Sequence, residues 1–319
     1  MVETAGRITL WGVEVFAAIA DERSISAAAR RLGASPSSVS QQLTNLETAV
    51  GTTLIDRSAR PLTCTPAGEL FRRRALTIIN EAEQARAELA AADMTRLTRF
   101  RLGMIEDFDA DVTPALLSDL SQAWPRTQFL LETGASHRMM DQLDARALDV
   151  VVTADMGDPG DGVEVHPLLE EPFVAALPKG KAAGDVMETM RTMPMVQYSA
   201  RHFMGRQIAQ QLSTQDFRVN HRFELDSYHA ILSMVAAGAG WTILTPLGVL
   251  RAKRFVSDVD IVELPFPAFS RRITLTARRG VLGELPGDVA ERLKAHMAAM
   301  ILTPFHARLP WLEDKMRLL

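Results

Sequence analysis

One cysteine, Cys64, is the only thiol in the 319 residues, which excludes an internal disulfide and any zinc site built on cysteines. Nowhere does an apolar run approach the ~20 residues of a membrane span. The stretch from Met1 to Leu10 holds Glu3 and Arg7 and lacks the apolar core of a secretory signal. These absences predict a protein of the cytoplasm that stays out of the membrane. Enzyme signatures are missing as well: there is no Gly-x-Ser-x-Gly elbow, no phosphate-binding loop and no His-Glu-x-x-His. Gly238-Ala239-Gly240-Trp241 lacks the third glycine of a dinucleotide loop and lies between a predicted helix and a predicted strand, so it reads as a tight turn. The seven histidines are scattered without ligand spacing, and the fifteen methionines read as core filler. No catalytic residue, metal ligand or cofactor is therefore expected, and an enzyme is the less favoured class.

Hydrophobic residues at 47% and charged residues at 23% are those of an ordinary globular chain, long enough for two or three cores. The net charge of −4 argues against nucleic acid, but averages conceal patches. Between Arg23 and Arg60, the five arginines Arg23, Arg30, Arg31, Arg57 and Arg60 stand against only Glu47 and Asp56, a net +3. Lysine first appears at Lys179, so every cation in the N-terminal third is arginine. Its planar fork suits phosphate and guanine edges better than an ammonium does.

Within residues 8–22, Leu10, Val13, Phe16, Ala17 and Ala20 recur at the spacing of a helix with one buried face. Ser26 is the expected N-cap of a second helix through Leu32, which Gly33-Ala34 ends in a tight turn. Ser35-Pro36 opens a third helix, with proline where a missing N–H costs nothing. Along it Val39, Leu43, Leu46 and Val50 form an apolar stripe, while Ser37, Ser38, Gln41, Gln42 and Asn45 make the opposite face. Two helices joined by a short turn are a helix-turn-helix, whose second helix enters the major groove. Gln and Asn amides suit adenine there, although such a face would equally suit a surface helix that meets only water. Leu54 to Thr65 reads as a two-stranded wing, with Arg57 and Arg60 near its tip for phosphates or the minor groove. Cys64 in that wing is a candidate redox sensor or a small packed side chain. Thr65-Pro66 then caps a long helix from Ala67 to about Arg96. Its apolar face carries Leu70, Ala75, Ile78, Ile79, Ala82, Ala85 and Leu89, and Arg72, Arg73, Glu81, Glu83, Arg86 and Glu88 cover the rest. Some thirty helical residues span about 45 Å, too long for one small domain, which predicts pairing with a second copy.

The run Phe16…Ser24-Ile25-Ser26-Ala27-Ala28…Leu32…Ser35…Val39-Ser40-Gln41-Gln42-Leu43…Leu46-Glu47…Gly51…Leu54…Arg57…Leu62…Thr65-Pro66-Ala67-Gly68 resembles the N-terminal signature of the LysR-type transcriptional regulators over about fifty residues. Three positions depart from it: Arg23 stands where glycine is usual, Ile55 where phenylalanine is usual, and Gln41 where an arginine is frequent. The last removes a phosphate or guanine contact and bears on the operator, not on the fold. The resemblance implies an all-α winged helix-turn-helix (1–65), a linker and dimerisation helix (66–98), and an α/β two-lobed domain like the type 2 periplasmic binding proteins (99–302). In that last domain lobe I would comprise 99–166 and 267–302, and lobe II 167–266. The tail 303–319 runs beyond the usual family end and would pack across a lobe or a subunit interface. The implied function is sequence-specific DNA-binding regulation modulated by a small-molecule effector. The implied partners are double-stranded DNA, a second copy in a dimer of dimers, and RNA polymerase. On the DNA side Ser37, Ser38, Gln41, Gln42 and Asn45 are expected to read bases, and Arg30, Arg31, Arg57 and Arg60 to hold phosphates.

The C-terminal pattern agrees with that expectation. Strands are predicted at 100–104, 128–132, 148–152, 173–177, 195–198, 222–225, 241–244 and 273–277, with helices at 137–147, 206–212, 228–238 and 288–302 and another through Leu116, Leu117 and Leu120. Strands alternating with helices predict a parallel sheet with crossover helices, and ligands bind at the carboxyl ends of such strands. The loops expected there carry Glu106, Asp107 and Phe108; Ser136 and His137, at a helix mouth that favours an anion; Tyr198, Ser199, Arg201 and His202; and Thr245. Gly103 to Asp107 resembles a subset of the family with an acidic pair after the first strand, while helix capping by Asp107 is an equal reading. Arg201 could meet a carboxylate effector or Glu106 across the cleft. A solute-binding protein for transport has lobes of this kind, but the DNA-binding head weighs against it.

Overall fold

Thr9 starts the first helix, its Oγ1 accepting the Gly12 N–H at 3.1 Å. The computed structural model describes residues 7–91, 97–157, 160, 162–217 and 219–319, and the chain divides chiefly between residues 92 and 93 into two compact units.

In the first unit α1 (Leu10–Glu22), α2 (Ile25–Arg31) and α3 (Pro36–Val50) pack around Val13, Phe16, Ile19, Val39, Leu43 and Leu46. The cap of α2 is Ser24, which accepts the Ala27 N–H at 3.3 Å, and not Ser26 as expected. Ile25 is drawn into the core, so the chain must already be helical there. Ser35 caps α3 by accepting the Ser38 N–H at 3.2 Å, Pro36 takes the first turn, and Gly51 closes it at φ 73°. Strands β1 (Ile55–Asp56) and β2 (Thr63–Cys64) pair antiparallel as the wing. Glu47 of α3 moors that wing, its Oε1 accepting the Leu54 and Ile55 N–H groups at 2.8 and 3.1 Å. Thr65 then caps α4 (Pro66–Ala91), accepting the Gly68 N–H at 3.0 Å. A Cβ on Gly68 would lie 2.0 Å from the Leu54 carbonyl oxygen, so only glycine lets the long helix cross the strand this closely. Phe71 meets Phe16 edge-on at 5.2 Å and Ala75 is buried, whereas Leu70, Leu76 and Ile78 remain 59%, 48% and 39% exposed. The expected continuation to Arg96, and the side chains of Glu83, Arg86, Glu88 and Leu89, lie outside the described residues.

The second unit opens with β3 (Arg99–Met104), α5 (Val112–Ala123), β4 (Gln128–Thr133), α6 (Ser136–Asp144), β5 (Val150–Ala154) and β6 (Val163–Pro172). The chain then builds a second lobe from β7 (Val174–Pro178), α7 (Val186–Thr192), β8 (Met195–Tyr198), α8 (Phe203–Thr214), β9 (His221–Leu225), α9 (Tyr228–Ala236), β10 (Thr242–Leu244), α10 (Pro246–Arg251) and β11 (Val259–Val262). It returns through β12 (Ser270–Arg278), α11 (Leu285–Met297), α12 (Thr303–Arg308) and β13 (Arg317–Leu318). Lobe I holds a six-stranded sheet in the order β13-β6-β12-β5-β3-β4; lobe II holds β10-β7-β11 and the pair β8-β9.

The sheets are mixed, not parallel as expected. Among these strands only β3 with β4 and β5, and β8 with β9, run parallel; β12 comes back from lobe II in the opposite direction and pairs antiparallel with both β5 and β6. The crossing between lobes falls at Phe173, later than the expected 166, because β6 stays bonded to β12 through Pro172. Phe173 donates its N–H to the Phe269 carbonyl at 2.9 Å and their rings stack 4.1 Å apart, so both crossings are clamped side by side. The expected helix 288–302 starts at Leu285 and ends in a π-helical turn, Ala298–Leu302, just ahead of Thr303-Pro304. Proline has no N–H to give the α-helical ladder, and the backbone widens there. The tail is part of lobe I: Leu312 and Met316 are fully buried and β13 adds to the edge of β6. Among the described residues no helix is long and apolar enough to cross a membrane.

Candidate functional site

Two regions of the molecule present polar side chains that the fold does not use up. The first is the outer face of α3. Its buried stripe points Ser37, Ser38, Gln41 and Asn45 into solvent, with Gln42 half-buried beside Asn45 in a shallow hollow. Gln41 donates its side-chain N–H to Asn45 Oδ1 at 3.0 Å, one helical turn on, which orders both amides before anything binds. The four cations named from the sequence differ in what holds them. Arg30 is exposed, whereas Arg31 bridges Asp21 and Glu22 at 3.3 and 3.4 Å. Arg57 donates to Glu47 Oε2 at 2.8 Å and Thr44 Oγ1 at 3.0 Å, and Arg60 to the Arg57 and Ala59 carbonyls. The partners of Arg57 and Arg60 brace the wing, whereas those of Arg31 tie α2 to α1. Cys64 packs half-buried under α4, and burial together with the Glu69 charge pushes its thiol pKa up.

The second region is a cavity of about 320 Å³ between the lobes, within the usual size for small-molecule sites. Lobe I lines it with Glu106, Asp107, Ser136 and His137, and lobe II with Tyr198, His202, Phe203, Met204, Gln207, Asp226 and Tyr228. Arg271, on the returning strand β12, closes the floor. Its Nε donates to Glu171 Oε1 at 2.7 Å, and its Nη2 to Asp107 Oδ2 at 3.3 Å and Thr245 Oγ1 at 3.1 Å. Glu171 Oε2 accepts the Leu247 N–H at 3.0 Å. One buried ionic cluster therefore joins lobe I, both crossing strands and the start of α10. Burial pushes the Glu171 pKa up, against the pull of Arg271. Tyr198 and Tyr228 lie 5.1 Å apart, centre to centre. Burial, reinforced by the charges of Asp107 and Glu106, pushes the Tyr198 phenol up to about 12.

Of the residues nominated for this cleft, Glu106, Asp107, Ser136, His137, Tyr198 and His202 line the cavity. Phe108 does not, because it turns into the lobe I core. Ser199 is buried and donates to Glu224 Oε1 at 2.6 Å. Thr245 is spent capping α10 and accepting from Arg271. Arg201 points to solvent beside the start of α8, not into the cleft, and bonds neither Glu106 nor any other lining carboxylate. Sequence reasoning passed over Gln207, Asp226, Tyr228 and Arg271. Only Arg271 carried a signal: it shares the inward, alternate-residue face of Ile273, Leu275 and Ala277, where an arginine must find a buried partner. Among the described residues no group of histidine, cysteine, aspartate or glutamate is placed to hold a metal ion.

A helix-turn-helix with a wing, on a chain that also carries a two-lobed domain with a cavity, is the architecture of a ligand-responsive transcriptional regulator. Residues 10–69 match the bacterial regulatory helix-turn-helix protein, lysR family, and residues 96–298 match the LysR substrate binding domain. The chain belongs to the LysR family: a DNA-binding transcriptional regulator with an effector-binding domain. Its relatives are regulators rather than enzymes. It is 26% identical over 300 residues to the DNA-binding transcriptional dual regulator OxyR of Escherichia coli K12, covering 89% of this chain and 94% of that one. Among solved structures, a full-length OxyR variant from Pseudomonas aeruginosa superposes with a TM-score of 0.67 at 22% identity, over 91% of this chain and 95% of that one. Full-length CbnR complexed with its target DNA gives 0.59 at 18% identity, over 92% and 99%.

Proposed function

We propose that this protein places α3 of two copies in successive major grooves and that a small molecule in the cavity between its lobes sets the transcriptional response. The functional divisions follow the sequence: a reading head to residue 65, a linker over 66–98, a ligand domain over 99–302, and the tail 303–319. Ser37, Ser38, Gln41, Gln42 and Asn45 read base edges, and Arg30, Arg31, Arg57 and Arg60 hold phosphates. Arg30 is the cation readiest for this role, since the other three must exchange a partner within the protein. The observation that carries the reading is the outward amide face of α3, preorganised by the Gln41–Asn45 bond and held against a braced wing. The exposed apolar side chains of α4 support a dimer through residues 67–96, and family membership supports a dimer of dimers, action in the cytoplasm and an encounter with RNA polymerase.

Several relatives are named as hydrogen peroxide-inducible genes activators. This chain has no cysteine in its ligand domain, and the raised pKa of Cys64 keeps it from the thiolate form that oxidants attack. A bound effector is therefore favoured over oxidation. The effector acts by binding two lobe arrangements with different affinity.

The test is the affinity for labelled DNA upstream of the protein's own coding sequence, titrated with salt and competitor. Tight binding that resists competitor and falls steeply with salt is expected. Failure to bind any DNA at low salt would sink the reading.

A further inference from the structure

The charges around the cavity do not balance. Arg271, Asp107 and Glu171 are 5%, 8% and 0% exposed, so one guanidinium is shared between two buried carboxylates and a negative charge is left over. Both Glu171 oxygens accept N–H groups, one from Arg271 and one from Leu247. Those bonds favour its ionised form, against the burial that raises its pKa. Asp107 differs: its Oδ2 accepts from Arg271, but its Oδ1 is buried with no hydrogen-bond partner. A buried carboxylate oxygen without a donor is costly, and this one belongs to a residue of the cavity wall. The Oε1 of Gln207, which also lines the cavity, is likewise buried and unpartnered. Glu106 and Asp226 add two more carboxylates at the rim, and among the described residues no lysine or second arginine lines the site.

From this imbalance we infer that the cavity takes an organic cation, a ligand whose ammonium sits at Asp107 Oδ1 and Gln207 Oε1. The inference rests on the cleft being the ligand site. An ammonium brings what the cluster lacks, a positive charge and N–H donors together, whereas water would bring donors without charge. The Tyr198 and Tyr228 rings, 5.1 Å apart, offer π-faces that favour the same charge. An anion would meet three carboxylates, and the guanidinium it might seek already has two carboxylates, Glu171 and Asp107, as counter-charges. The anion preference expected from Ser136 and His137 at the mouth of α6 is thereby outweighed.

The experiment uses size-matched pairs of opposite charge, benzylamine with benzoate and putrescine with succinate, read by thermal shift and calorimetry on the full chain. The amines are expected to bind and the anions not. Asp107→Asn should weaken amine binding at least about tenfold, as loss of a charge-assisted hydrogen bond does. Asp226→Asn, at the exposed rim where folding is not at stake, should weaken it about threefold. Binding of the anions in place of the amines, binding of neither, or amine affinity unmoved by both substitutions would overturn the inference. DNA affinity measured in parallel separates the two claims. Amines that bind without changing it would leave the ligand class standing and remove the regulatory reading; an anion that changes it would do the reverse.

Discussion

Arg23 occupies a left-handed backbone position, φ 52° and ψ 25°, at the end of α1, which costs an ordinary residue about 1 kcal/mol or more. That geometry is the physical reason a glycine is usual there. Arg23→Gly should therefore raise the stability of the DNA-binding unit by about 1 kcal/mol, visible as a higher melting temperature; a lower one would show that the arginine side chain compensates for the strain. Tyr198 offers a second test. The chain has only two tyrosines, and both line the cavity, so phenolate absorbance reports on that site alone. With the Tyr198 pKa raised from 10.0 to about 12 and that of Tyr228 also raised well above its ordinary value, the folded state holds its protons longer than the unfolded chain. The stability linked to these groups is thus fully present below pH 10 and is lost as pH rises toward 12. A spectrophotometric titration should find no phenolate signal near pH 10 in the native protein and both groups in the denatured one. A native midpoint at 10 would mean the rings are solvated.

At the scale of elements, the proposed function assigns the reading of DNA to α3 and the pairing of two copies to α4. Replacing Gln41 and Gln42 together by alanine should lower the preference for operator over random DNA while sparing non-specific affinity, if phosphate contacts come from the arginines as proposed. Equal losses on both DNAs, measured by competition, would mean the amides do not read bases. On α4, Leu70, Leu76 and Ile78 are exposed apolar side chains, which the proposed dimer would cover. Leu76→Glu with Ile78→Glu is expected to give monomers in sedimentation and a large loss of operator affinity, because two linked heads bind far more tightly than one. Dimers that persist would move the interface to another part of the chain.

At the scale of the whole molecule, the Arg271 cluster ties lobe I, the crossing strands and lobe II into one buried network, and Arg251 with Asp109 adds a second bond between the lobes at 3.4 Å. Removing one member of such a network leaves a buried charge uncompensated, at about 3–5 kcal/mol. Arg271→Ala should accordingly lower the denaturation midpoint of the ligand domain, followed through Trp124, Trp241 and Trp311, while the DNA-binding unit keeps its own transition. An unchanged midpoint would show that the cluster is hydrated.

Local rules were enough for the DNA-binding head. Its caps, its apolar stripe and its turns act within a few residues of one another, so Ser35-Pro36, Val39-Leu43-Leu46 and Thr65-Pro66 announced α3 and α4 directly. Even the one misplaced cap, Ser26 for Ser24, turned on a packing choice made by Ile25. The cleft was only half legible. Glu106, Asp107, Ser136, His137, Tyr198 and His202 follow from the rule that loops after strands line such sites, but Arg201 faces away and Phe108 faces inward, which strand order alone cannot decide. The antiparallel return of β12, the crossing at Phe173 and the seat of the tail beside β6 depend on pairings about a hundred residues apart or more. So does the meeting of Arg271 with Asp107, 164 residues away. Short-range geometry is written in the order of the side chains, whereas a shared buried charge exists only once the chain has closed around it.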